Sequence, residues 1–97
     1  MSVVVTNFAH FRAMVTLLAA GDEDQAREHL DALRDRDANA PLTRLAMQVW
    51  DQYGMTGSVR AACAQAAPQV ASQAGPVLAA LQSQGMGVDP NSFCGVS

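Results

Sequence analysis

The chain contains no lysine, only five aromatic residues, two cysteines and almost no run of strand-forming residues. All six basic residues are arginine, against nine acidic ones, and the net charge is −3. A field of that sign repels nucleic acid and anionic membrane. No stretch approaches the roughly 20 apolar residues that span a bilayer. The apolar run from Arg12 to Gly21 has the look of a signal-peptide core, but it is short and follows two phenylalanines and a histidine, so it reads as part of the fold. Only Val3–Val5 would suit a strand, and alanine dominates, so the composition favours an all-α protein. Cys63 and Cys94 permit one disulfide without requiring it. Two free thiols in a cytoplasmic protein are the default expectation.

With 97 residues the chain is one domain. Folding buries roughly 60–70 % of the surface of a chain this short, which leaves little for a deep catalytic cleft. The expected architecture is a small bundle of four or five short helices over residues 1–84, opening with an antiparallel helical hairpin, followed by a loop or partly disordered tail, residues 85–97.

The hairpin follows from punctuation. Phe8, Phe11, Val15 and Leu18 recur at helical spacing after a cap at Thr6 or Asn7, and Gly21 supplies the stop. Asp22, with Gln25 three residues later, caps a second helix that buries Ala26, Leu30 and Leu33. Its other face holds Glu23, Arg27, Asp31, Arg34 and Asp35, a solvated set of opposite charges at helical spacing. The third helix, from Asn39 or Pro41 to Gly54, carries the only Trp and the only Tyr. Its stripe of Leu42, Leu45, Ala46, Val49, Trp50 and Tyr53 makes it the expected centre of the fold. Ser58 caps a fourth helix through Val59, Ala62, Cys63 and Ala66. Pro68 interrupts it or begins another segment, and Val70, Ala74, Val77, Leu78 and Leu81 keep helical phase across a break near Gly75-Pro76.

Charge is distributed unevenly. Of the fifteen charged residues, twelve lie between Asp22 and Asp51, and there is none from Ala61 to Val88. Gln and Ser can solvate such a face, but charge depletion also marks the core of an interface. The expected partner-binding residues are therefore Met47, Trp50 and Tyr53 with Val70, Val77, Leu78 and Leu81.

Leu18-Ala-Ala-Gly-Asp-Glu-Asp-Gln-Ala26, His29-Leu-Asp-Ala-Leu33 and Asp37-Ala-Asn39 resemble the second helix of a tetratricopeptide-type repeat. Leu45, Ala46 and Val49 leading to Gly54 are similar to the first helix of the next, so the likeness spans about residues 11–61. Such repeats need about three units to stand alone. The resemblance thus implies a binding module completed by a partner or a second copy. A second, local resemblance links Asp51-Gln-Tyr-Gly-Met-Thr-Gly-Ser-Val-Arg-Ala-Ala62 to the turn and reading helix of helix-turn-helix regulators. It implies DNA binding through Gly54–Arg60 and the helix that follows. Yet Arg60 is the last positive charge in the chain, and DNA affinity comes from several phosphate contacts.

For chemistry the sequence offers little. His10, His29, Cys63 and Cys94 are scattered, and no two share one element at ligand spacing, so no metal site and no cofactor are expected. Cys63 has Arg60 nearby but no histidine in local spacing, and Asp22-Glu-Asp24 is explained by a helix N-terminus. Met14, Met47, Met55 and Met86 suit either core gaps or an adaptable surface. The expectation is a non-enzymatic interaction module, an adaptor, small chaperone or inhibitor, that binds a protein partner or itself through helical surfaces.

Overall fold

A computed structural model describes residues 3–90 and 92–95. It is all-α, with five helices in the order α1 (Val3–Ala19), α2 (Glu23–Asp37), α3 (Pro41–Thr56), α4 (Val59–Gln73) and α5 (Gly75–Ser83), and no strand among the described residues. The chain begins with the expected hairpin, α1 packing along α2. The connection turns at Gly21, whose φ of +81° lies in the left-handed region that a side chain would strain. Asp22 then caps α2, its Oδ1 accepting from the Gln25 backbone N–H at 3.1 Å. Replacing it by Ala leaves an orphan donor in the first turn, and Asp22→Ala is expected to cost about 1 kcal/mol in urea unfolding.

Helix α2 buries Ala26, Leu30 and Leu33, the three expected positions. Thr43, the buried polar side chain of α3, ties the two helices together by donating its hydroxyl to the Leu33 carbonyl at 3.3 Å. Helices α3 and α4 form a second packed pair, joined by Gly57 and Ser58. Ser58 caps α4 by accepting from the Ala61 N–H at 3.2 Å.

Several boundaries differ from the expected ones, each for a local reason. Val3–Val5 is helical, and α1 starts before Thr6. Helix α3 runs through Gly54, and Gly57 ends it instead, with φ +69° and its N–H donating to the Tyr53 carbonyl at 2.8 Å. A glycine inside a helix costs only about 1 kcal/mol, so the stronger pair Gly57-Ser58 decides the stop. Pro68 lies inside α4 without ending it. The carbonyl that a proline deprives of its partner belongs to Ala64, which is exposed and open to water. The expected break near Gly75-Pro76 is present as the boundary between α4 and α5 at Ala74.

The hierarchy differs too. The centre is α1, which packs against all four other helices, rather than α3. Phe8, Phe11, Met14, Val15 and Leu18 are all buried, and the apolar run ending at Gly21 is the middle of the core. On α3, Leu42, Leu45, Ala46 and Val49 are buried while Trp50 and Tyr53 lie half-buried at the core's edge.

Among the described residues, the segment after α5 is a loop, and it is packed down. Val88, Phe93 and Cys94 are core residues. Phe93 meets Phe8 and Phe11 edge-on, with ring centroids 5.1 and 5.2 Å apart. Arg12 holds the same segment from α1, donating from Nη2 to the Ser92 carbonyl at 2.9 Å and stacking its guanidinium over the Phe8 ring at 4.7 Å. Cys63 and Cys94 are bridged, with Cα atoms 6.2 Å apart, so the expected free thiols are corrected to a disulfide that fastens α4 to this segment.

Candidate interaction surface and the histidine pair

The expected partner-binding residues separate into three groups. Val70 is 2 % exposed and Leu81 0 %, so both are core side chains and present no surface in the folded monomer. Val77 and Leu78 are half-buried and packed against that core. Met47, at 37 % exposure, and the half-buried Trp50 and Tyr53 remain on the outside of α3.

The charge-free stretch has a simple structural explanation. Its exposed positions are alanine, proline, glycine, serine and glutamine, among them Gln65, Ser72, Gln73, Gln82, Ser83 and Gln84, all small or neutral-polar. Among the described residues the exposed large apolar side chains are Val3, Met47 and Met55, none of them in this stretch. Helical periodicity places Val70 and Leu81 on one stripe, and the structure shows that both turn into the core.

Met47 stands where two shallow concavities meet, and Trp50 lines the smaller of them. One, of about 140 Å³, lies between α2 and α3 and is lined by Arg27, Leu30, Arg34, Met47, Trp50 and Asp51. The other, of about 450 Å³, is bounded by Ala38, Asn39, Arg44, Met47, Gln48, Asp51 and Gln52. Their linings together hold three arginines and one aspartate around an apolar step. Arg27 also approaches Asp31 at 3.9 Å, but with both side chains more than half exposed the pair holds it weakly. Arginine and tryptophan are the side chains most often found to dominate binding energy at protein interfaces.

A separate cavity of about 250 Å³ lies between α4 and the C-terminal segment. Its walls are core side chains, including Phe11, Leu45, Val70 and Phe93, with the Cys63–Cys94 bridge. Arg60 is the one charged residue among those lining it.

Across the α1–α2 hairpin, His10 of α1 and His29 of α2 meet, although 19 residues separate them. Their Nδ1 atoms are 3.0 Å apart and their ring centroids 5.3 Å apart. Burial lowers the His10 pKa below its ordinary 6.5, with smaller contributions from His29 and from the positive charge of Arg36. The sequence pattern missed this pair because it looks for ligands on one element, whereas the hairpin brings them together across two.

Scans of protein-family models, curated proteins and solved structures find no match to this chain. No described helix is long and apolar enough to cross a membrane.

Proposed function

We propose that the protein is a non-enzymatic interaction module whose binding surface is the α2–α3 groove centred on Met47 and Trp50, with Tyr53 one turn further along α3. The observation that supports this most is the conjunction of an incompletely covered Trp–Met step with Arg27, Arg34 and Arg44 around it. That pattern fits an apolar anchor flanked by carboxylates on a protein segment. The order of two successive helical hairpins, α1–α2 and α3–α4, is compatible with the tetratricopeptide resemblance, which implies a binding module completed by a partner or a second copy. The Cys63–Cys94 bridge favours an oxidising compartment over the cytoplasm that the sequence suggested, because reducing pools keep cytosolic thiols open. DNA recognition through α4 is disfavoured: Arg60 is the sole cation from there to the C-terminus, too few for phosphate-driven affinity.

A peptide-display selection on the folded, oxidised chain tests the reading. Enriched sequences should pair a large apolar residue with neighbouring Asp or Glu. Trp50→Ala should weaken binding of those peptides by about 30-fold or more, as loss of an anchoring aromatic does. Enrichment that survives unchanged on a Met47→Asp/Trp50→Ala chain would place recognition elsewhere.

A further inference from the structure

We propose that His10 and His29 form a two-imidazole site for a divalent transition-metal cation of the zinc or nickel class, clamping α1 to α2 through their Nδ1 atoms. The geometry carries this. Two nitrogens each about 2.0–2.1 Å from one ion stand about 2.9 Å apart at a right angle and about 3.3 Å apart at the tetrahedral angle. The observed separation of 3.0 Å lies between those limits. Both rings project from long helices whose relation is fixed by the short turn at Gly21 and the Asp22 cap, so the two ligands are held in place before any ion arrives.

Without metal, the same approach is a hydrogen bond in which one Nδ1–H donates to the other ring's Nδ1. Binding moves that proton to the ring's own Nε2, so both Nδ1 lone pairs face the ion and no net proton is released from two neutral rings. Water completes the coordination, since no group of three or more His, Cys, Asp or Glu side chains converges among the described residues. Arg36 opposes a cation here, which keeps the site weak.

Two of the ligands of a four-ligand zinc site give a Kd on the order of 10 µM. The test is a Zn(II) titration of the tag-free chain followed by calorimetry and by long-range 1H–15N spectra of the imidazoles. His10 and His29 are the only two histidines, so their ring signals report the site directly. One equivalent of zinc should shift both Nδ1 resonances together with 1:1 saturation. His10→Ala or His29→Ala should weaken binding at least tenfold, while Arg36→Gln should tighten it severalfold. If zinc leaves both Nδ1 signals in place, moves only one ring, or engages Nε2 instead, the pair is a hydrogen bond and nothing more. The wild-type spectra decide this whether or not the alanine variants fold.

Discussion

Opening the Cys63–Cys94 bridge is expected to lower the unfolding free energy by about 3–4 kcal/mol. The two cysteines are 31 residues apart. Closing a loop of that length removes enough freedom from the unfolded chain to account for a stabilisation of that size on the chain-entropy model. For a domain whose whole stability is on the order of 5–15 kcal/mol, this is a large fraction. The melting temperature should fall by about 15–25 °C on adding reductant, and equally in a Cys63→Ser/Cys94→Ser chain that reductant no longer affects. Thermal melts of the two chains with and without reductant, paired with a free-thiol titration, check it. The bridge matters beyond its own loop because α4 and the C-terminal segment both touch α1. Cutting it frees the loop that delivers Phe93 to the core.

Phe93→Ala is the second large effect, a loss of about 3–5 kcal/mol, in the range found when a fully buried phenylalanine is truncated. Phe93 is 1 % exposed and stacks edge-on with both Phe8 and Phe11, so the substitution empties the place where three rings meet. A residue in a true tail would give almost nothing. Met55→Ala provides the comparison: at 80 % exposure on the last turn of α3, it should fall within about 0.5 kcal/mol of the parent. Urea unfolding of the three chains, read by circular dichroism, separates the outcomes.

These two effects also mark the boundary of what periodicity and capping chemistry reveal. Helix starts were legible wherever a side chain satisfies an orphan N–H, as Asp22 and Ser58 do, because that signal is local. The inward face of α2 was legible because Ala26, Leu30 and Leu33 repeat at helical spacing against a charged far side. What could not be read is everything that depends on a loop returning to the core. Phe93 and Cys94 lie in a stretch with no period, and their burial is decided by where Arg12 and Cys63 wait for them. That return also explains why α1 is central, since Phe8 and Phe11 gain a third ring from the far end of the chain.

The candidate surface was legible by half. Trp50 stood out near the end of the α3 stripe and Met47 as a soft side chain beside it, and both reach solvent. Their arginine surround was hidden, because Arg27 and Arg34 come from α2 and only the hairpin-to-hairpin packing brings them beside α3. The charge-free stretch misled for a physical reason: small and neutral-polar residues solvate α4 and α5 without charge, and their large side chains turn inward.

Trp50 is the only tryptophan, so its fluorescence reports the groove and no other place. The most direct measurement is therefore the Trp50 emission of the oxidised chain during titration with the acidic peptides recovered by selection, at low and at high salt. Occupancy of the groove should shift the emission to shorter wavelength, saturably, with an affinity that falls as salt rises and collapses when the peptide's Asp and Glu become Asn and Gln. Binding that leaves Trp50 emission unchanged, or that ignores both salt and peptide charge, would contradict the assignment of the groove.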